Sequence, residues 1–171
     1  MHLKLQIIKE FNEQTRDIIQ TAYKLEAAYT TEADKVIDSV DVLLRDKDAL
    51  NVEEIIYYIT QIPIVIYALT DNMQQLCIKT DTAKMERKRV FNEAYLAQEH
   101  GTVAHKTSVA QSACEDEQFL EDLFTKVYKQ CERKIDILEM LHGSLKKILN
   151  WRENEMQLTR TNMLSNGKGG F

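Results

Sequence analysis

The sequence predicts an all-α protein whose long helices form an extended helical bundle or coiled-coil-like protomer that self-associates. One proline and five glycines occur among 171 residues, and three of these glycines lie in the last five positions. A sheet-rich fold needs turn residues more often than this. Apolar residues also recur at steps of three and four along most of the chain, which is the period of an amphipathic helix.

Residues 3 to about 30 have this helical period, and a second helix is predicted to start at Thr30-Thr31 and to run to Arg45. Hydroxyl side chains cap helix N-termini, and the acidic residues that follow suit a first turn. The polar run 46–48 (Asp-Lys-Asp) then marks a turn. The N-terminus lacks the long apolar core and the cleavage site of a signal peptide, so none is expected.

The most apolar segment is Ile55–Leu69, which follows Asn51, a predicted N-cap. It is about 15 residues long and contains Gln61 and Pro63, whereas a membrane-spanning helix needs about 20 apolar residues. We therefore predict no membrane segment, and instead a helix that is kinked near Pro63 and apolar on most faces. Such a helix has to be buried, either in the core of its own chain or against other subunits.

The densest basic cluster follows a possible weak break at residues 80–82. Residues 84–110 carry five basic and three acidic side chains in a protein of net charge −5. Their helix is predicted to reach Gln98 and to be ended by Gly101. A net acidic protein does not coat duplex DNA by bulk electrostatics, so the cluster predicts either a local binding site or a solvated helix face. The clustered residues are Lys84, Arg87, Lys88 and Arg89.

Two further helices are predicted after Gly101. Thr102 is placed to cap a short helix over Val103–Ala113, and the acidic run 115–117 fits the start of a long one. Apolar residues then repeat at sevens in two interleaved sets, as in a coiled-coil seam. The sets are Leu120, Val127, Leu141 and Ile148, and Phe124, Cys131, Leu138 and Leu145.

Four further features belong to the C-terminal part of the chain. Lys134 interrupts one seam position. Gly143 costs a helix about 1 kcal/mol relative to alanine, so it is expected to permit a close backbone contact. Residues 158–171 are predicted to form a flexible tail because they can bury almost nothing. A second positive face runs from Lys126 to Arg152, with seven basic and three acidic side chains.

The sequence offers no chemistry of catalysis. Cys77, Cys114 and Cys131 are an odd number at wide spacings, which fits neither a disulfide framework nor a zinc site. We predict that they are small buried residues in a reducing compartment. The four histidines do not pair with cysteines or carboxylates at ligand spacing, and no phosphate loop or catalytic set is present. We therefore expect a protein that is not an enzyme and needs no cofactor or metal.

From Lys84 to about Gln157 the chain resembles the UvsY-like recombination mediators of tailed phages. The resemblance rests on a basic helix leading to FNEAYLAQEHGT (Phe91–Thr102), then AHKTSVAQSA (Ala104–Ala113), and a long helix ending in DILEMLHGSLKKILNWRENEMQ (Asp136–Gln157). The order and spacing of these parts agree over about 75 residues. The resemblance divides the chain into three parts. Residues 1–80 form an N-terminal helical region, a possible assembly module; residues 81–157 form a mediator-like core; and residues 158–171 form the tail.

This resemblance implies a non-enzymatic protein that binds single-stranded DNA and forms a ring-like homo-oligomer. It implies that the protein loads a RecA-like recombinase by displacing single-strand-binding protein, in the cytoplasm of the host cell. The family's DNA-contacting basic residues lie in the helix before the glycine break. Here that helix has Glu93 and Tyr95 near its end, which moves the predicted contact one to two turns earlier. The candidates are Lys84, Arg87, Lys88 and Arg89, with Lys106 matching a family lysine after the break.

Single-strand binding without sequence preference needs a positive track and aromatic rings on which bases stack. Phe91 and Tyr95 either supply these rings or pack in the core. Four charges per subunit bind weakly alone, but repetition around a ring makes the binding multivalent. The alternative function is that of a structural or adaptor coiled-coil protein, such as a phage assembly factor, that binds only protein.

Overall fold

The computed structural model describes residues 2–45 and 51–166, with side chains over 18–45 and 51–160. These residues form four helices and no strand, so the all-α prediction is confirmed. The helices are α1 (His2–Arg45), α2 (Val52–Ala97), α3 (Val103–Ala113) and α4 (Glu115–Asn166). The turn predicted at 46–48 lies outside the described residues.

The chain divides into two compact units, and each is built from two separate stretches of sequence. The first unit takes Met1–Thr31 with Leu69–Arg133, and the second takes Glu32–Ala68 with Lys134–Phe171. The helix α2 crosses residue 80 as one element. The sequence-based division at that residue stays a prediction.

In the first unit, α2 packs against α1 and runs antiparallel to α4. Asn72 Nδ2 donates to the Tyr29 carbonyl at 3.0 Å. Lys79 Nζ lies 5.9 Å from the centre of the Phe124 ring, and Arg87 pairs with Glu121. As the residue number rises along α2, the residue number of the partner on α4 falls, so the two helices are antiparallel. The buried residues of this unit are Thr30, Leu69, Leu76, Ala83, Ala110, Cys114, Leu123, Val127 and Cys131.

In the second unit, α1, α2 and α4 share another buried core. Lys134, the residue that interrupts the predicted seam, pairs with Asp34 of α1, so its charge is compensated beside the core. Its side chain is 25% exposed, which lets the aliphatic stem pack while the ammonium meets the carboxylate. The buried residues are Ala33, Val40, Ile55, Ile62, Leu138 and Leu145.

The apolar segment of α2 buries only one of its faces within the protomer. Buried residues occur at every seventh position: Ile55, Ile62, Leu69, Leu76 and Ala83. On the other faces, large apolar side chains are exposed, and Tyr67 reaches 78%. One stripe of Ile55–Leu69 therefore lies in the core of its own chain, as one alternative predicted. Burial of the other faces against other subunits stays a prediction. The exposed members are Ile56, Tyr57, Ile64 and Tyr67.

Among the described helices, α2 also contains an 18-residue window that is long and apolar enough to cross a membrane by length and composition. Seventeen per cent of that window is buried. A single helix of this kind is weak support for a membrane span, because core helices of soluble proteins meet the same criterion. Pro63 lies inside this helix, which continues on both sides of it.

The predicted seam of α4 is buried at four of its eight apolar positions. Cys131, Leu138 and Leu145 are fully buried and Val127 is 2% exposed. Leu120, another residue of the predicted seam, is 43% exposed within the protomer.

Two breaks predicted at threonines are absent from the structure. Thr31 Oγ1 donates to the Ala27 carbonyl one turn earlier, and Thr30 is buried. These hydroxyls therefore bond within a continuing helix instead of capping a new one, and α1 is a single element. Thr80 and Thr82 bond back to carbonyls four residues earlier in the same way, so α2 has no break there.

The two predicted N-caps are confirmed. Glu53 N donates to Asn51 Oδ1 at 3.0 Å at the start of α2. Gly101 has φ 120°, a conformation that favours glycine, but α2 already ends at Ala97, so this glycine lies in the connection to α3. Thr102 Oγ1 accepts from His105 N at 3.3 Å and begins α3 with the predicted bounds.

Three expectations about the C-terminal half and the cysteines need correction. The helix α4 continues to Asn166, so residues 158–166 are helical, because no Gly or Pro ends the helix before Gly167. A Cβ built at Gly143 would meet nothing within 4 Å, so the expected close contact is not made within the protomer. Cys114 and Cys131 are buried as predicted, but Cys77 is exposed because it follows Leu76, which takes the inward position.

Candidate nucleic-acid interface

Arg87 is the member of the basic cluster that faces the protein. Its Nε lies 2.9 Å from Glu121 Oε2 on α4, and its Nη1 donates to Gln118 Oε1. The side chains of Arg87 and Glu121 are 32% and 17% exposed. Nε and Oε2 are both buried and lack hydrogen-bond alignment, so their contact is an ion pair without a directed bond. The charge of Arg87 is thus neutralised by a contact that joins α2 to α4.

Arg89 is compensated within α2 itself. Its Nε donates to Glu86 Oε2 at 3.0 Å and its Nη1 to Glu93 Oε1 at 2.6 Å. The hydrogen bond from Arg89 lowers the pKa of Glu86, and the bonds to Glu86 and Glu93 raise the pKa of Arg89. At about 100° per residue, Arg89 also points well away from the face of Lys84 and Lys88.

Lys84 and Lys88 are the cations that stay available. Both are exposed, and neither forms an ion pair with any side chain that the structure describes. Their spacing of four residues places them on one face of α2. Phe91 and Tyr95 extend this face at steps of three and four. We call these four residues the Lys–aromatic stripe.

The aromatic end of the stripe is neither core nor fully solvated. Phe91 and Tyr95 are half-buried, and their rings lie nearly parallel, 15° apart with centres separated by 6.2 Å. Half-buried rings of this kind keep part of their faces accessible to another flat π system. The packing alternative is therefore met in part, and base stacking by the same side chains stays a prediction.

Lys106 lies at the end of the stripe. Its Nζ donates to the carbonyl of Gln98, three residues beyond Tyr95. A lysine bonded to the last carbonyls of a helix stabilises its C-terminus. Of the predicted residues, Lys84, Lys88 and Tyr95 share one face of α2, and Lys106 bonds to the end of that helix. Arg87 and Arg89 are instead paired with carboxylates of the same chain.

A groove of about 410 Å³ runs beside the stripe, between α2 and the start of α4. Lys88 gives it positive charge and Glu115 negative charge, and Phe91 provides an apolar wall. Its amide side chains were not predicted, because only the tertiary contact of α2 with α3 and α4 places them there. The lining residues are Arg87, Lys88, Phe91, Asn92, Gln111, Cys114, Glu115 and Gln118.

The second basic face of α4 is split between the two units. In the first unit, Lys126 and Lys129 are exposed and form no ion pair with a described side chain. In the second unit, Lys134 is held by Asp34, and Lys146 and Lys147 are exposed. This face offers cations but no neighbouring stacked aromatic pair of the kind that the stripe has.

Within the described residues, no group of three or more His, Cys, Asp or Glu side chains is placed to hold a metal ion. Comparisons of the chain with protein-family models, with curated proteins and with solved structures found no match.

Proposed function

We propose that this protein is a non-enzymatic phage recombination mediator that binds single-stranded DNA as a homo-oligomer. In this role it helps to load a RecA-like recombinase by displacing single-strand-binding protein, in the cytoplasm of the host cell. The observation that supports the proposal best is the Lys–aromatic stripe, which lies in the segment that resembles the UvsY-like mediators.

The stripe has the two parts that single-strand binding needs. Lys84 and Lys88 are free to neutralise phosphates, and Phe91 with Tyr95 present ring faces to unpaired bases. The four residues extend over roughly 16 Å of helix, at about 1.5 Å per residue. Bases in a duplex are already stacked and paired, so the aromatic part favours a single strand.

Two free lysines per subunit bind a polyanion weakly. Several copies that engage one strand together raise the effective concentration of each next site, and the overall affinity increases without a new kind of contact. Self-association is therefore part of the proposal. The large exposed apolar residues of α2 support it, because soluble protomers seldom leave such a surface uncovered.

The test is fluorescence anisotropy of a labelled single-stranded oligonucleotide over a salt series. The variant Lys84→Gln/Lys88→Gln should weaken binding and reduce the slope of log K against log salt by about 0.7 for each phosphate that the protein no longer neutralises. The matched control is Lys126→Gln/Lys129→Gln, which removes the same charge from exposed, unpaired lysines of α4.

The control variant should bind like the wild type. Equally weakened binding in the two variants would show diffuse electrostatic attraction and would contradict a site on the stripe. If the stripe variant keeps the affinity and salt slope of the wild type while both fall in the control, the site belongs on α4 instead.

A structural or adaptor coiled-coil protein is the second candidate function. The internal pairing of Arg87 and Arg89 favours it, because carboxylates of the same chain already neutralise two of the four predicted cations. This candidate predicts that the purified wild type does not shift single-stranded DNA even in low salt. The mediator proposal predicts a shift that disappears as salt is added.

A further inference from the structure

The second compact unit exposes an apolar helix face that is separate from the Lys–aromatic stripe. On α4, Met140 is 64% exposed and Trp151 is 59% exposed. A tryptophan this accessible on a regular helix leaves a large apolar surface in water, and tryptophans of this kind commonly anchor protein interfaces.

These two side chains belong to one continuous line. Met140, Ser144, Lys147 and Trp151 are separated by four, three and four residues, so they lie along one face of α4. Lys147 and the adjacent Lys146 are exposed and form no ion pair with a described side chain. We call this line the α4 ridge, and it combines apolar area with positive charge.

The same unit contains a groove of the opposite character. It lies between α1 and α2 and has a volume of about 630 Å³. Val42 and Tyr57 in its wall are 68% and 56% exposed. Asp38 and Glu54 are exposed at its edge, without an ion pair to any described side chain. The residues that line this α1–α2 groove are Asp38, Ser39, Val42, Leu43, Glu54, Tyr57 and Tyr58.

The ridge and the groove match in chemistry. Each has a large exposed aromatic residue, and the unpaired Lys147 of the ridge complements the unpaired carboxylates of the groove. No residue of the ridge lines the groove. The two are therefore distinct surfaces of one protomer, as a contact between different copies requires.

We propose that the α4 ridge of one copy docks in the α1–α2 groove of a second copy. Such a contact is head-to-tail, so every added copy still offers one free ridge and one free groove. Growth then ends when a ring closes, or continues as an open filament if the rotation between copies does not close. The inference rests on the self-association in the proposed function, and it assigns the two surfaces and their polarity.

Sedimentation velocity without DNA tests the docking with two single-sided variants. Trp151→Glu removes the ridge anchor, and Tyr57→Glu removes the groove wall. Each should weaken self-association at least about 30-fold, the effect of removing an interface hot spot, and should sediment as a monomer. The control Tyr23→Glu changes an equally exposed tyrosine of the first unit and should assemble like the wild type.

The decisive sample is an equimolar mixture of the two variants. The Trp151→Glu copy keeps a working groove and the Tyr57→Glu copy keeps a working ridge, so the mixture should form a dimer and nothing larger. A mixture that stays monomeric overturns the head-to-tail contact, as do single variants that assemble like the wild type. If a variant loses helicity by circular dichroism, Trp151→Ala and Tyr57→Ala replace the glutamate changes in the same design.

The two proposals fail in different ways. A wild type that is monomeric at micromolar concentration contradicts the self-association of the proposed function and this contact together. A wild type that assembles, with variants that assemble equally well, contradicts this contact alone.

Discussion

Arg87 Nε on α2 lies 2.9 Å from Glu121 Oε2 on α4, and both atoms are buried. This relationship separates Arg87 from the other members of the basic cluster, because its charge faces a carboxylate of another helix. Its first role is structural, and removal of the guanidinium leaves Glu121 as a poorly solvated charge without a partner.

Arg87→Met should therefore lower the free energy of unfolding by about 1–3 kcal/mol, the cost of stranding a buried polar partner. Urea denaturation followed by circular dichroism measures it. Arg89→Met is the matched control, since Arg89 pairs only on the exposed face of α2, and its midpoint should match the wild type. Equal midpoints for the two variants would refute the structural role of Arg87.

Tyr95→Leu should weaken single-stranded DNA binding by about 1–3 kcal/mol for each base that no longer stacks. The slope of log K against log salt should stay unchanged, because no phosphate contact is removed. Anisotropy with the oligonucleotide used for the lysine variants measures both quantities. Tyr23→Leu changes a 68% exposed tyrosine far from the stripe in sequence and should have no effect. Weaker binding in both variants would argue against a stacking role specific to Tyr95.

The two described glycines should respond to alanine with opposite signs. Gly101 has φ 120°, and an added Cβ would lie 3.0 Å from His105 Cδ2, so Gly101→Ala should destabilise by about 1–3 kcal/mol. Gly143 lies inside α4 with open space around its Cα, so Gly143→Ala should stabilise by about 0.5–1 kcal/mol. Thermal and urea unfolding of both variants provides the comparison. A destabilising Gly143→Ala would indicate that another chain approaches α4 closely at this point.

The three thiols should differ in reactivity. Cys77 is exposed, whereas Cys114 and Cys131 are buried. A brief treatment of the folded protein with iodoacetamide should therefore alkylate one thiol, and peptide mass spectrometry should place it at Cys77. In denaturant all three should react. Rapid labelling of Cys131 in the folded protein would contradict its place in the core.

Cys131 should also make stability depend on pH. Burial raises the pKa of this thiol, and the negative charge of Glu26 adds to the effect. Above the unfolded thiol pKa of about 8.5, the unfolded chain loses a proton that the folded chain keeps, so stability falls as pH rises. The slope contributed by this group is at most about 1.4 kcal/mol per pH unit. Urea unfolding from pH 8 to 9.5 should show a shallower fall for Cys131→Ala than for Cys77→Ala.

Local signals in the sequence were sufficient for much of the helical architecture. Asn51 and Thr102 act within a few residues of themselves, so their caps could be predicted from neighbours alone. The helix breaks predicted at threonines were wrong because their local signal is ambiguous. A threonine hydroxyl bonds as well to a carbonyl one turn earlier as to a free N–H, and the packing of Thr30 into the core decided between them.

The site shows the same division between near and distant partners. Sequence spacing alone places Lys84, Lys88, Phe91 and Tyr95 on one face, because a helix repeats with a fixed period. The pairing of Arg89 with Glu86 and Glu93 is equally local. The pairing of Arg87 depended on Glu121, whose carboxylate is 34 positions further along the chain and reaches Arg87 only when α4 folds back along α2. The sequence by itself determined the helices, their caps and the stripe. Only the tertiary structure decided whether the charge of Arg87 remains exposed, and which apolar faces of α2 and α4 remain exposed. The helical repeat defines several faces on each helix, and the contacts between helices determine which of them are buried.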